Sequence, residues 1–398
     1  MNNSPFTLYI EINNTNFIFF VKNNNKLNEL NNIYKKEVSL PGIKDNSFYD
    51  LEKTFNLIKE NIYSIEQKFN YTFNEIILIL ENFDLSFINL TGYKKLNGSQ
   101  ILRENITYIL NTLKSYVNET EPKKKILHIF NSKYFLDNKK IENLPIGLFG
   151  DFYSHELCFN LININNYKNL KNIFEKCNIR VNRIFLKSYI KGSYISEKYN
   201  NTETFFHISV SENNSKIFLF ENNSLKFEQD FNFGTNIIIK DISQVTSLSI
   251  DTVIYILKKI RFNEDIAEDE LIDKDFFLDN DYKKIKKKLF YNVASTRINE
   301  LLEIMIFENI NLRYHLETCK NLFLEFKEDF VLQGIKTIYE RDILLKKSVA
   351  FKSLDYCSKE HILDTTEKLV HFGWKKEAIP VIQSKKSLIV RFFEAIFG

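Results

Sequence analysis

The chain has 398 residues, of which 44% are hydrophobic, and its 54 basic and 51 acidic side chains give a formal net charge of +3. A chain of this length exceeds the usual limit of a single hydrophobic core, so two or more domains are expected. The near balance of charge, without a basic stripe that carries interleaved aromatic residues, argues against nucleic acid as a partner.

Two hairpins of the same pattern open the two halves of the chain. The predicted strands span 8–12 and 17–22 in the first half, and 206–210, 216–221 and 225–231 in the second. Tight turns over Asn13–Asn16 and Ser211–Ser215 join the first two strands of each half. Because each hairpin is followed by a region of mixed helix and strand, the chain is predicted to be duplicated at domain scale. Two α/β halves that each open on a hairpin have the layout of the actin-like fold.

The remaining elements follow from hydrophobic spacing. Helices are predicted over 48–69, 99–117, 167–177 and 249–259, and strands over 76–80, 125–131 and 157–164. The unbroken apolar run at 76–80 is typical of a strand that is buried on both faces.

One stretch carries the strongest resemblance to a known family. It reads Ile126-Leu-His-Ile-Phe130, then Tyr134-Phe-Leu-Asp137, then Pro145-Ile-Gly-Leu-Phe-Gly150. This order resembles FtsA, the bacterial actin-like cell-division family, in which a strand with His leads through Tyr-x-Leu-Asp to Pro-x-Gly-x-x-Gly. Further on, 232–241 is similar to the family's entry into subdomain 2B, and 295–302 is similar to its Arg-x-x-Glu helix.

The resemblance implies an actin-like α/β fold with an inserted subdomain, called 1C, and a C-terminal amphipathic helix. The implied boundaries are 1–83 with 164–200 and 345–375 for subdomain 1A, 84–163 for 1C, 201–245 with 305–344 for 2A, 246–304 for 2B, and 376–398 for a linker and the terminal helix. Because the chain has only ten glycines, Gly147 and Gly150 are expected to fix the turn that leaves 1C, each with a positive φ or a close neighbour.

The nucleotide site of the family is not expected to survive in this chain. Phosphate loops need glycine, because backbone N–H groups must approach the phosphate closely, and an Asp that orients the metal or water. The three family loops map onto 11–16, 209–216 and 327–335, with Lys327-Glu328-Asp329 in place of the glycines of the third. Glu212 places a negative charge in the second loop, and Ile254 and Leu257 stand where the family contacts the nucleoside with Glu and Lys. The expected cofactor is therefore none, and the chain is not expected to be an enzyme.

No other catalytic or metal chemistry is indicated. The six histidines (128, 155, 207, 315, 361 and 371) show no metal-ligand spacing and have no nearby Cys that suggests a nucleophilic pair. The four cysteines (158, 177, 319 and 357) have no paired spacing, which argues against a disulfide framework or zinc ribbon and indicates a reducing compartment. The acidic run 264–270 and the basic run 283–288 are expected to be a solvated loop and helix face.

The last fifteen residues, 384–398, have the pattern of a helix that lies in a membrane interface. The residues expected to bind the membrane are Lys385, Lys386, Leu388, Ile389, Arg391, Phe392, Phe393, Ile396 and Phe397. The segment is shorter than the roughly 20 apolar residues that a membrane span needs. A terminal helix that packs on its own domain fits the same pattern equally well.

The resemblance implies an adaptor that tethers polymers of the tubulin-like protein FtsZ to the membrane and helps to assemble the division machinery. Arg297 and Glu300 are the nearest counterparts of the surface on which the acidic FtsZ C-terminal tail docks, although Arg297 in a plain helix-face salt bridge is an equal alternative. The expected partners are the FtsZ tail, anionic lipid and further copies of the chain in a polymer. The start of the chain has no signal-peptide pattern, so the expected place is the cytoplasmic face of the inner membrane at the division site.

Three other functions remain open at this point. One is an actin-like adaptor of a type IV pilus or secretion system, which would bind a short peptide of an inner-membrane protein and would not need the terminal helix. Another is an active actin-like ATPase or sugar-kinase relative, against which the missing glycines count. The third is a structural polymer without a membrane role, which would require the terminal helix to be docked internally.

Overall fold

A computed structural model describes residues 5–378, apart from 14–15, 25–32, 40–42, 45–46, 49, 82, 200–201, 261, 263–265, 278–281, 328–332, 346–349, 356 and 374–376. The described residues of 1–200, 222–226 and 358–398 form one compact unit, called unit 1. Those of 201–221 and 227–357 form the other, called unit 2.

The elements of both units are numbered in chain order. The strands are β1 Phe6–Ile12, β2 Asn16–Asn23, β3 Ile33–Ser39, β4 Ile43–Lys44, β5 Ser47–Phe48, β6 Glu75–Leu80, β7 Leu85–Lys95, β8 Lys124–Leu136, β9 Lys139–Ile141, β10 Phe152–Asn163, β11 Arg180–Leu186, β12 Phe205–Val210, β13 Ser215–Glu221, β14 Ser224–Phe231, β15 Asn321–Phe326 and β16 Ala350–Leu354. The α-helices are α1 Leu51–Phe69, α2 Arg103–Thr120, α3 Ile164–Lys176, α4 Lys187–Lys198, α5 Thr235–Thr246, α6 Ile250–Lys259, α7 Lys287–Leu302, α8 Gln333–Leu345 and α9 Lys359–Phe372.

The first sheet of unit 1 has the order β11-β6-β1-β2-β3. The strands β1, β2 and β3 form an antiparallel meander, and β6 and β11 extend the sheet in parallel from β1. From Leu8 to Ile12, and again from Ile76 to Leu80, every residue is buried, which is typical of strands that are covered on both faces.

Helix α1 begins later than the hydrophobic spacing predicts. The side chain of Asp50 accepts a hydrogen bond from the Lys53 N–H and caps the helix, so α1 starts at Leu51 rather than at Phe48. The face that it buries includes Ile58, Ile62 and Ile65, as the spacing predicted.

The sheet of unit 2 repeats the order of the first, β14-β13-β12-β15-β16. A meander of three strands is again extended by two parallel strands, with Ile208 opposite Leu324. Helices α5 to α8 pack their apolar faces on this sheet to form one hydrophobic core. The predicted duplication is therefore confirmed at the level of strand order.

A second sheet of unit 1, of order β7-β10-β8-β9, lies within residues 85–163 and packs against α2. The predicted helix over 99–117 begins instead at Arg103, because the preceding residues pair with the segment before β10: the Ile101 N–H donates to the Leu148 carbonyl at 2.8 Å. Gly147 has φ +89°, and a Cβ on Gly150 would lie 2.3 Å from Leu136 Cδ1. Both glycines therefore have the special environment that the sequence predicted.

The predicted terminal helix, 384–398, lies outside the described residues. Glu377 and Ala378 are described, and Glu377 pairs antiparallel with Phe130 of β8. Among the described residues, no helix is long and apolar enough to cross a membrane.

Candidate functional site

A groove of about 370 Å³ lies between α5 and α7 in unit 2. Its walls are Asp241, Gln244 and Val245 of α5, and Asn292, Val293, Thr296, Arg297 and Glu300 of α7. These residues recur at three- and four-residue intervals, so they form one face of each helix. Both residues that the sequence predicted for partner binding, Arg297 and Glu300, thus line the same groove.

Hydrogen bonds on the opposite face of α7 hold this helix in one orientation, with its groove-lining residues towards α5. Ser295 Oγ donates a hydrogen bond to Asp342 of α8 at 2.8 Å, and Asn299 Nδ2 donates to the same carboxylate at 3.1 Å. Asp342 is almost fully buried. These bonds turn Arg297 and Glu300 away from α8 and towards α5.

The guanidinium of Arg297 is paired with two carboxylates. Arg297 Nε donates to Asp241 Oδ2 at 2.5 Å, and Nη1 donates to Glu300 Oε2 at 2.5 Å. The hydrogen bond to Asp241 raises the pKa of Arg297, so the group carries its full charge. One positive and two negative groups leave the charged wall of the groove with a net charge of about −1 at neutral pH. The helix-face salt bridge considered from the sequence is present, with Asp241 as a second partner.

The turn of the second hairpin is hydrogen-bonded to the start of α5. The N–H groups of Thr235 and Asn236 donate to the carbonyls of Ser211 and Glu212, each at 3.0 Å. A Cβ on Gly234 would lie 2.2 Å from the Ser211 carbonyl oxygen, so only glycine allows this approach. In other proteins, anions bind to the first N–H groups of a helix. Here those N–H groups already donate to carbonyls of the hairpin turn.

Three charged residues meet at the ends of adjacent parallel strands in unit 1. Lys187, the first residue of α4 after β11, donates from Nζ to Glu11 Oε1 of β1 and to Glu81 Oε2 beyond β6, each at 2.7 Å. Glu11 and Lys187 are nearly buried, with side chains 3% and 12% exposed. Burial acts to lower the pKa of the Lys187 ammonium, but the two carboxylates outweigh it and raise the pKa well above its ordinary value.

These two arrangements do not fit the Mg²⁺–nucleotide group that an actin-like ATPase holds. Glu11, the acidic residue at which the first mapped loop begins, is already neutralised by the Lys187 ammonium. In the second hairpin turn, the carbonyls of Ser211 and Glu212 face helix α5, and the side chain of Ser211 donates to the Asn214 carbonyl at 2.7 Å.

The two positions at which the family contacts the nucleoside belong to the core of unit 2 in this chain. Leu257 is fully buried in the core of unit 2, and Ile254 packs against that core. Of the third loop, Glu328 and Asp329 lie outside the described residues. Within the described part of the chain, no three metal-ligating side chains come together, and none of the four cysteines forms a disulfide.

The acidic and basic runs of unit 2 pair with each other. Lys286 Nζ lies 2.7 Å from Asp269, Lys287 Nζ lies 2.5 Å from Glu270, and Lys288 also pairs with Glu268. These ion pairs are at the surface, where each contributes little to stability.

Sequence comparison finds relatives along most of this chain. The cell division protein FtsA of Buchnera aphidicola subsp. Acyrthosiphon pisum is 21% identical over 373 residues, which cover 89% of this chain and 87% of that protein. The chain is a divergent relative of FtsA. The FtsA proteins of Buchnera aphidicola subsp. Baizongia pistaciae and Neisseria meningitidis serogroup B are 26% and 18% identical over 290 and 271 residues. Those matches cover 69% and 67% of this chain, and 66% and 64% of the two FtsA proteins. No family profile matches the chain.

Comparison with solved structures agrees on the fold. A chain of the PilM-PilN type IV pilus biogenesis complex aligns with a TM-score of 0.51 over 92% of this chain and 96% of that chain, at 7% identity. At this identity the likeness shows the fold alone. The fold of this FtsA relative is actin-like, as its sequence pattern predicted.

Sequence reasoning missed the partners that complete both sites. Lys187 directly follows a strand that runs parallel to β6, and a charged residue at that place is a usable signal, because ligand-binding groups of parallel sheets gather at the carboxyl ends of strands. Asp241 lies three and four residues before Gln244 and Val245, but nothing local shows that α5 packs beside α7.

Proposed function

We propose that this chain is a cell-division adaptor that holds the acidic C-terminal tail of FtsZ and attaches FtsZ polymers to the cytoplasmic face of the membrane at the division site. The observation that supports this most is the match to a protein named FtsA over 89% of the chain, which includes most of both units. The likeness to the PilM chain concerns the fold only, so it does not favour a pilus or secretion role.

The groove between α5 and α7 is the proposed docking site of the FtsZ tail. Val245 is 55% exposed there and offers an apolar contact beside the charged wall. A peptide carboxylate reaches Arg297 by replacing Asp241 or Glu300, so one charge-assisted hydrogen bond is exchanged for another. The net gain from such an exchange is small, and a single tail should bind weakly. Many tails on one polymer multiply the effective affinity.

Two opposite substitutions test the docking site. Arg297→Glu removes the group that the acidic tail contacts and should weaken binding of FtsZ tail peptide by at least about tenfold. Asp241→Asn releases one competing carboxylate from Arg297 and should strengthen binding several-fold. Arg313→Glu, a charge reversal at an exposed arginine of unit 2 outside the groove, is the matched control. Fluorescence anisotropy of a labelled tail peptide measures all three.

A structural role of Arg297 alone would give a different result. In that case Asp241→Asn and Arg297→Glu would both lower the melting temperature and neither would change peptide affinity in the folded protein. Equal binding by all variants would place the FtsZ site elsewhere.

The terminal segment, residues 384–398, is the proposed membrane anchor. Six large apolar side chains at about 1.5–3 kcal/mol each give a gross gain on the order of 10 kcal/mol. Ordering the segment costs about 1–2 kcal/mol per residue before its own hydrogen bonds offset that cost. The three basic residues add about 1 kcal/mol each near anionic lipid. One copy should therefore bind reversibly, and copies held in a polymer should bind firmly.

Vesicle sedimentation tests the anchor. Removal of 384–398, or Phe392→Glu, should abolish sedimentation with vesicles that contain anionic lipid. Sedimentation of the truncated chain would place the anchor elsewhere and favour a terminal helix packed on its own domain.

The adaptor is proposed to act without a nucleotide or enzymatic step. The buried contacts of Lys187 with Glu11 and Glu81 support this, because they already satisfy the carboxylates at the strand ends.

A further inference from the structure

The last described residues, Glu377 and Ala378, lie along the edge of β8. Strand β9 covers this edge only from Tyr134 to Leu136, and Glu377 pairs with the same edge at Phe130. The Ala378 N–H donates to the Ile129 carbonyl at 2.7 Å. The last described residues are thus joined to β8 by main-chain pairing.

Side chains on both faces of the sheet contact Glu377 and Ala378. On one face, the carboxylate of Glu377 is 5% exposed and lies 3.1 Å from His128 Nδ1 and 3.7 Å from Arg183 Nη1. On the other face, Ala378 packs against the cluster that contains Ile129 and Leu157. The point from which the terminal segment departs is therefore fixed on unit 1.

The direction of the chain at this point is also fixed. Because Glu377 and β8 pair antiparallel, the chain at Ala378 runs towards the start of β8. Four residues of strand separate Ile129 from Lys125, a distance of about 13 Å. The terminal segment starts at Ser384, six residues after Ala378, which allows a reach of at most about 20 Å.

Four lysines surround the start of β8, and two of them, Lys123 and Lys168, are exposed. Lys123 is exposed, and its carbonyl accepts a hydrogen bond from the Ile164 N–H at 2.8 Å, which places the start of α3 beside it. The ammonium of Lys125 lies 5.7 Å from the ring centre of Tyr167, and the next residue, Lys168, is exposed. Lys124 is the member of this group that is paired, with Glu121 at 3.0 Å. Lys123, Lys125 and Lys168 are called the basic edge.

We propose that the basic edge faces the membrane and contacts anionic lipid headgroups next to the terminal segment. The proposal rests on the proposed membrane attachment by residues 384–398. The terminal segment starts at most about 20 Å from Ala378, and the basic edge lies about 13 Å from Ile129 in the direction that the chain takes, so we place the edge beside the inserted segment. Attraction between a lysine and an anionic membrane falls off over a Debye length of about 8–10 Å, so only lysines near the exit point contribute. The basic edge then gives the chain one preferred orientation on the membrane.

The test compares two pairs of lysines in unit 1. Lys123→Gln with Lys168→Gln removes the charge of the two exposed lysines of the basic edge. Lys139→Gln with Lys140→Gln removes the charge of two exposed lysines of β9 at the far end of β8. Sedimentation of the full chain is measured with vesicles of phosphatidylcholine alone and with vesicles that also contain phosphatidylglycerol. Each lysine near an anionic surface strengthens binding about fivefold, so the first pair should weaken binding to anionic vesicles by about 25-fold. The control pair should leave it unchanged, and neither pair should alter binding to neutral vesicles.

The outcomes separate this inference from the membrane proposal itself. If the basic-edge variant binds anionic vesicles like the unsubstituted chain while the 384–398 truncation does not bind, the basic edge does not face the membrane. Equal weakening by both lysine pairs would also overturn the inference, because it would reflect overall charge. If the unsubstituted chain binds no vesicles, both the anchor and the basic edge are wrong.

Discussion

Replacing Lys187 with Met tests whether a buried ammonium holds the strand ends of unit 1 together. Methionine keeps the length and apolar contacts of the lysine stem and removes only the charge. In the unsubstituted chain, that charge sits at the first residue of α4, where the helix dipole disfavours a cation. The contacts with Glu11 and Glu81 must therefore outweigh both the dipole and the desolvation.

The magnitude follows from the geometry. Unit charges 2.7 Å apart attract by about 6 kcal/mol at an effective dielectric constant of 20, and desolvation cancels much of this. Removal of one partner from a buried ion pair costs about 3–5 kcal/mol, because the other partner stays buried without compensation. Lys187→Met leaves two such carboxylates, so the loss should reach about 4–5 kcal/mol. That is a large part of the stability of an ordinary domain, about 5–15 kcal/mol.

Urea unfolding near pH 7 measures the loss, and Lys368→Met is the matched control. Lys368 pairs with Glu197 at 2.9 Å, but both side chains are about half exposed, so its removal should cost less than about 1 kcal/mol. Glu11→Gln in the Lys187→Met background should recover part of the stability, because it removes one uncompensated charge.

A small loss of stability would contradict a stabilising role of the contacts between Lys187 and the two carboxylates. A loss below about 1 kcal/mol for Lys187→Met, or a deficit that Glu11→Gln does not reduce, would mean that the three charges are effectively solvated.

Three further predictions concern other parts of the chain. Calorimetry with ATP and Mg²⁺ should show no micromolar binding, and a clear micromolar isotherm would contradict the mapping of the loops. Burial lowers the pKa of His155 to about 4. Below about pH 6.5, His155 therefore binds a proton in the unfolded chain but not in the folded chain. The free energy of unfolding should fall by up to about 3 kcal/mol between pH 6.5 and 4. His155→Phe should remove that part of the pH dependence in urea unfolding, and an unchanged profile would exclude His155 as its source. Gly234→Ala should lower the free energy of unfolding by about 2 kcal/mol or more, since its Cβ would lie 2.2 Å from the Ser211 carbonyl oxygen. An unchanged free energy of unfolding would show that the turn can shift without cost.

Local pattern determined the strands, the hairpins and the duplication. A run of a few apolar residues, alternating or continuous, is enough to predict a buried strand. Tertiary information was therefore not needed to predict the strands at 8–12, 17–22, 206–210 and 216–221. The absence of glycine from the first two loops can likewise be read directly from the sequence. Helix starts were less predictable, because a cap such as Asp50 or a bridge such as Ile101 to Leu148 decides them.

The sites depended on contacts between residues far apart in sequence. Arg297 and Glu300 are three residues apart, and their pairing was readable from one helix, but Asp241 is 56 residues away and its pairing was not. Lys187 meets Glu11 across 176 residues, and His128 meets Glu377 across 249. A sequence shows which residues carry charge and which strands are buried. Which charge neutralises which is decided only when the sheets and helices pack, because the energy of an ion pair depends on distance and burial and not on separation along the chain.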